Sequence, residues 1–347
     1  MVGATFAAFV GTAAPDLLQA PPAPAEVLVL HTLTKDSEAK PIASVNQWQA
    51  ERSRLKRQWQ DVLGEFPESK PPLNATNVST EVLDEFTRSL VKYQVEDGVY
   101  TDGYLLVPKR ADKKYAAVVV FHPTTPLGPK GVAGVDASYD ADKQQGIQLV
   151  KRGFVVWCPR NYINAEGADW AGNARRVMAA HPQWTGMTRM IWDAIRAADY
   201  LESLPQVDPK RIGCLGHSLG AKVVLYAMAF DERYKAGVFS EGGIGLKFGN
   251  WDAPWYLGPK IREKGFDLEN DQVLAFIAPR AFLLLAGDSA DGDRSWAFIK
   301  AVLPIYELLG VPKNIGWWNH HQGHAYPANA RTVAEDFLEE HLLTNPR

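Results

Sequence analysis

From residue 115 onward the chain alternates short, wholly apolar runs with longer segments of helical periodicity. That alternation restricts the fold more than any other feature. The apolar runs are "YAAVVVF" (115–121), "GFVVWCP" (153–159), "RIGCLG" (211–216), "AGVFS" (236–240), "AFLLLAG" (281–287) and "NIGWWN" (314–319). A run with no polar alternation needs cover on both faces, the condition of a strand inside a parallel sheet. Met187, Met190, Ile191, Ala194, Ala198 and Leu201 form a stripe that predicts a helix over 186–204. Further helices are expected at 221–230, about 295–309 and 328–343. Such alternation specifies an α/β fold, a mostly parallel twisted sheet with helices on both faces.

Upstream, the runs at 81–86, 90–96 and 100–108 read as strands forming an antiparallel edge. Val45, Trp48, Leu55, Trp59 and Val62 predict an amphipathic helix over 42–63, ended by Gly64 and Pro67. The first residues, "MVGATFAAFVGTAAPDLLQAPPAPA", combine a short apolar stretch with small residues near Ala13-Ala14. They resemble a secretory signal, without its basic start, followed by a Pro/Ala linker. The expected organisation is a signal-like segment and linker over 1–40 and one catalytic domain over 41–347, with a lid-like insertion at about 242–272. Export to the periplasm or beyond is the expected destination, with the cytoplasm as the alternative. No later apolar run reaches membrane-spanning length.

Composition excludes some partners. Lys and Arg number 37 against 40 Asp and Glu, with no basic stripe, so nothing draws the chain to nucleic acid. Cys158 and Cys214 both lie in apolar runs and are expected as buried free thiols, neither a disulfide nor a metal site. The sequence leaves oligomeric state open.

The chemistry centres on "GCLGHSLGAK" (213–222). Gly216-His217-Ser218-Leu219-Gly220 is a G-x-S-x-G pattern with a buried strand before it and a helix after it. In that context the serine sits on a sharp turn at the carboxyl edge of the sheet. A serine hydroxyl needs a base to take its proton. "NHHQGHAYP" offers His320, His321 and His324, and His324, after Gly323 in the loop before the last helix, is the expected base. No H-E-x-x-H helix accompanies the trio, so neither a metal nor an organic cofactor is expected.

A carboxylate should orient the imidazole. Asp291, in the loop after the penultimate strand, is the favoured acid over Asp288 and Asp293. Glu241, directly after "AGVFS", is the alternative. The oxyanion donors should be the backbone N–H of Leu219 and that of Thr124 or Thr125, since Pro123 has none. His122 reads as a structural part of that loop.

At these residues the chain resembles the α/β-hydrolase superfamily, and within it the bacterial acetylxylan-esterase and dienelactone-hydrolase-like groups. The resemblance covers roughly residues 80–347 and rests on "FHPTT", on "WDAIRAADYLESLPQVDPKRIGCLGHSLGAKVVLYAMAFDERYKAGV", "NWDAPWYLG" and "LAFIAPRAFLLLAGDSADGD", and on "GHAYP". Dienelactone hydrolases carry cysteine at the nucleophile position. Ser218 therefore implies ordinary ester cleavage. A second resemblance is to glucuronoyl esterases, which have a lysine four residues after the serine, as Lys222 is here, and in some members a glutamate where Glu241 stands. In that family the lysine contacts the uronate. The departure is Leu219, where those enzymes carry an arginine.

The expected activity is therefore serine carboxylic-ester hydrolysis on a small-molecule or carbohydrate ester. Lys222, Trp255 and Trp296 are the candidate substrate contacts. Trp251, Trp317 and Trp318 offer further indole faces. The rival readings are a prolyl-oligopeptidase-type peptidase, for which no propeller-sized segment is present, and an inactive binding module on the same scaffold.

Overall fold

The computed structural model describes residues 16–22, 28, 30–110, 114–165 and 169–343, and the signal-like stretch 1–15 lies outside them. In chain order the helices and strands are α1 (Val45–Leu63), β1 (Thr76–Val82), β2 (Phe86–Glu96), β3 (Val99–Pro108), β4 (Tyr115–Phe121), α2 (Pro129–Val132), α3 (Gln145–Lys151), β5 (Val155–Pro159), α4 (Trp170–Ala180) and α5 (Gly186–Ser203). They continue with β6 (Val207–His217), α6 (Leu219–Phe230), β7 (Tyr234–Ser240), α7 (Asn270–Ala275), β8 (Ala281–Ala286), α8 (Trp296–Leu308), β9 (Ile315–Asn319) and α9 (Ala328–Leu342).

The strands form one sheet in the order β1-β2-β3-β5-β4-β6-β7-β8-β9. Pairings are antiparallel from β1 to β3 and between β3 and β5, and parallel from there to β9. Every residue of β4 and β8 is buried, as their unbroken apolar composition requires. One face packs against α1 and α5 to α8, with Trp48, Trp59, Ile191 and Val224 in its core. The other packs against α3 and α9 through Leu149, Val150, Ala334 and Leu338.

Register brings the functional loops together. Phe121 pairs with Gly216, His217 with Ser240, Ser240 with Leu285 and Ala286 with Asn319. Five parallel strands thus end at one level, and the loops leaving them share the same edge.

Two local differences from the sequence reading have simple causes. The run 81–86 is not a strand. It holds the end of β1 and a turn, closed by Leu83 N–H donating to Phe86 O at 3.0 Å. Every residue of β1 is exposed, so no core imposes a pattern on it. Helix α3, seven residues long, is too short to show a stripe, and α4 escaped the sequence reading. Part of the expected linker packs on the domain: Trp317 N–H donates to Leu17 O at 2.7 Å, and Leu33 is buried. No helix among the described residues is long and apolar enough to cross a membrane.

Candidate active site

Strand β6 runs directly into the turn that carries Ser218. Ser218 has φ 60° and ψ −119°, outside the regions a side chain normally allows. Such a conformation costs about 1–3 kcal/mol and persists only where its surroundings impose it. Here Ser218 N–H donates to Ser240 O at 2.8 Å, and α6 begins at the next residue. A Cβ on Gly216 would strike the Gly220 carbonyl, and one on Gly220 would strike the Phe121 carbonyl. The two glycines let strand, turn and helix close on one another, leaving Ser218 half-buried at the sheet edge.

His324 follows Gly323, which has φ 73°. Its Nδ1 lies 3.2 Å from Oε2 of Glu241, and its Nε2 has no hydrogen-bond partner among the described residues. Its side chain is 43% exposed, whereas that of Glu241 is fully enclosed. The ring rests on that of His217, with centroids 4.8 Å apart. Because His217 directly precedes Ser218, His324 stands beside the turn. Ser218 and His324 are not hydrogen-bonded to each other among the described contacts, and such bonds often tighten only when substrate is bound.

Glu241, not Asp291, therefore meets the imidazole. It leaves β7 with φ 49°, a left-handed conformation that turns its carboxylate under the next loop. There it accepts from the N–H groups of Gly287, at 2.5 Å, Ala290, at 2.8 Å, and Asp291, at 3.2 Å. Asp291, the favoured acid in the sequence reading, faces elsewhere. Its oxygens accept from Gly243 N–H at 2.6 Å, Ile244 N–H at 2.9 Å and the Ser295 hydroxyl at 2.8 Å. Burial pushes its carboxyl up, and the nearby Glu241 charge adds to that. The difference arises because the β8–α8 loop folds back on itself. The carbonyl of Asp291 accepts from Asp288 N–H at 2.8 Å, and its side chain is held by Gly243, Ile244 and Ser295 instead.

Leu219 opens α6, where a backbone N–H has no acceptor within its helix. Neither Thr124 N–H nor Thr125 N–H donates a hydrogen bond among the described residues. The loop holding them is pinned elsewhere: Thr125 O accepts from Asn164 Nδ2 at 2.8 Å. His122 is a structural tie. Its Nδ1 is 2.8 Å from Pro123 O and its Nε2 accepts from Asn161 N–H at 3.0 Å. Burial lowers its pKa to about 4, so it stays neutral.

Lys222 is buried, not on a solvated helix face. Its ammonium lies 4.0 Å from the Trp251 ring centroid and 5.2 Å from that of Tyr256, with Gly243 O at 3.5 Å. Burial lowers its pKa to about 7, against the pull of Asp291. Trp251 is wholly buried and donates Nε1–H to Gly243 O at 2.7 Å, so it packs the wall and offers no stacking face. Trp255 is half-buried, and its carbonyl accepts from Tyr162 Oη at 3.2 Å. Trp296 packs edge-on against Trp317, inside β9, at 5.7 Å, which places it with the core. The expected lid at 242–272 is a wall with a buried interior, including Tyr256 and Leu257.

The three downstream histidines diverge. His320 Nδ1 accepts from Gln322 N–H at 3.1 Å, and His321 Nδ1 lies 2.6 Å from Asp288 Oδ2. His217 and Tyr256 escaped the sequence reading. Only the position of His217 inside G-x-S-x-G could have drawn notice to it.

This sheet, with a strained serine turn, a later acid and a last-loop histidine, defines the α/β-hydrolase fold. Residues 101–244 match the model of the Dienelactone hydrolase family. It is 25% identical to the putative hydrolase YtaP of Bacillus subtilis over 251 residues, 68% of this chain and 80% of that protein. It is 26% identical to the 4-O-methyl-glucuronoyl methylesterase of Schizophyllum commune over 196 residues, 46% of this chain and 48% of that one, and so spans about half of that relative's length. Among solved structures, a glucuronoyl esterase from Solibacter usitatus superposes with TM-score 0.77 at 19% identity, covering 90% of this chain and 98% of its own. A putative acetyl xylan esterase from Bacteroides fragilis gives 0.67 at 14% identity, over 83% and 79%. At these identities the structural likeness establishes the fold.

Proposed function

We propose that the chain is a serine carboxylic-ester hydrolase, working through an acyl-enzyme on esterified carbohydrate. The observation that carries this reading is the pair formed by Glu241 and His324 beside the strained Ser218 turn. The names of the similar proteins, glucuronoyl methylesterase and acetyl xylan esterase, support the substrate class.

In this mechanism Ser218 Oγ attacks the acyl carbonyl while His324 Nε2 takes the hydroxyl proton. Glu241, accepting from Nδ1–H, fixes the tautomer that leaves the Nε2 lone pair free. It also stabilises the imidazolium that forms. The N–H groups of Leu219 and of Thr124 or Thr125 hold the oxyanion. The tetrahedral intermediate collapses, the ester C–O bond breaks, and the alcohol leaves with the proton from His324. Water, deprotonated by the same imidazole, then releases the acid and restores Ser218. Leu219 contributes no side-chain charge where glucuronoyl esterases carry arginine, so the backbone donors bear that load alone. Trp255 is the substrate-side candidate; Lys222, expected beside it, is sealed behind Trp251 and Tyr256, and Trp296 belongs to packing. A glycan ester outside the cytoplasm fits the signal-like N-terminus.

The test is hydrolysis of acetylated xylan, methyl glucuronate and short-chain aryl esters by the purified chain, with Ser218→Ala as control. Equal rates for the two proteins on every substrate would sink the reading.

A further inference from the structure

His217 stands between Gly216 and Ser218 at the start of the serine turn. It ends β6, opposite Ser240, and is buried. Its Nδ1 lies 3.1 Å from Ser240 Oγ, while its Nε2 is buried with no hydrogen-bond partner. The His324 ring packs against it, tilted, with centroids 4.8 Å apart and planes at 43°, and Tyr326 meets it edge-on at 6.0 Å. Among the described residues the His324 side chain makes one hydrogen bond, to Glu241 at the end of β7, and it is 43% exposed on a loop whose preceding glycine has a left-handed conformation. One hydrogen bond at a ring edge leaves the ring free to rock about that contact. A packed ring beneath removes that freedom.

We propose that His217 is a positioning residue for His324: its neutral ring is the surface against which the catalytic imidazole packs, and its unpartnered Nε2 adds a neutral acceptor close to the positive charge that His324 acquires. This rests on the serine-hydrolase reading above and deepens it. The Nδ1–H tautomer, donating to Ser240 Oγ, is the form that leaves the Nε2 lone pair available. The charged and titratable groups facing the pair are Glu241 from the end of β7, His320 from the β9–α9 loop and Lys143 ahead of α3. Burial holds the His217 pKa well below its usual value, and the cations around it push the same way, so the His217 ring stays neutral. A neutral imidazole beside a cation leaves it unopposed and offers it an acceptor, and a protonated one would repel it.

The experiment measures the rate at which a fluorophosphonate labels Ser218 as a function of pH, which reads nucleophile activation without a defined substrate. Wild type, His217→Leu, His217→Phe and Ser218→Ala are compared, with melting temperatures alongside. His217→Leu should slow labelling by about 10- to 100-fold, the scale of a misplaced general base. It should also move the acid limb to lower pH by roughly half a unit, because the imidazolium loses a favourable neighbour. His217→Phe keeps a packing surface without the acceptor and should fall between the two. If His217→Leu does not fold, His217→Phe alone decides, by a slower rate or a shifted limb. Wild-type rate and limb in the folded variants would overturn the proposal while leaving the hydrolase reading intact. A wild type that Ser218→Ala matches, with no labelling in either, would overturn both.

Discussion

Glu241 Oε2 stands 3.2 Å from His324 Nδ1 across 83 residues of chain, and the same carboxylate gathers three backbone N–H groups from the β8–α8 loop. Those donors hold the carboxylate in one orientation, which is what an imidazole-orienting acid requires.

Replacing Glu241 by Gln removes that charge at nearly constant volume and favours the wrong tautomer of His324. We expect kcat to fall about 1,000- to 10,000-fold with KM little changed, the scale of triad-acid removal. Steady-state kinetics on an aryl ester check it, and a loss below tenfold would count against Glu241 as the acid.

Asp291→Asn should act on stability. One carboxylate oxygen serving Gly243, or Ile244 and Ser295, becomes an amide nitrogen that cannot accept. A buried donor left unpaired costs about 1–3 kcal/mol, and denaturant unfolding should show that loss. Activity should stay within about tenfold of wild type, the opposite balance to Glu241→Gln.

Gly220→Ala should prevent folding or leave the protein insoluble. The added methyl would meet the backbone carbonyl of Phe121, which sits in a central strand and cannot move aside. Soluble expression with a wild-type melting temperature would contradict the close approach of β4 and α6.

His31 gives a pH-dependent stability. Its Nδ1 lies 3.0 Å from Asp271 Oδ1, and that hydrogen bond raises the His31 pKa above its usual value although burial opposes it. A raised folded pKa means that the pair's stabilisation is fully present below the unfolded value of about 6.5 and is lost as pH rises through the folded value. His31→Gln should therefore lower the melting temperature near pH 5.5 more than near pH 8.5, conditions about a unit or more either side of that value. An equal drop at both would show that the charge contributes nothing.

Trp255→Ala should separate substrate binding from chemistry. The residue is half-buried in the wall next to Tyr256. We expect KM for glycan esters to rise several-fold while kcat on a small aryl acetate holds; a matched loss on both would assign Trp255 to packing.

The sequence by itself determined the parallel sheet, the serine turn and the placing of a histidine after the last strand. Those features are local: unbroken apolar runs in β4 and β8 demand cover on both faces, and Gly216 and Gly220 permit the close approach that the turn needs. Only the tertiary structure decided which carboxylate meets His324, that Lys222 is buried against Trp251, and that His217 lies beneath the imidazole. The partners in each case belong to different loops or elements. A left-handed backbone at Glu241 and the fold-back of the loop at Asp291 set where the two carboxylates point, and neither glutamate nor aspartate announces such a conformation in a string of residues.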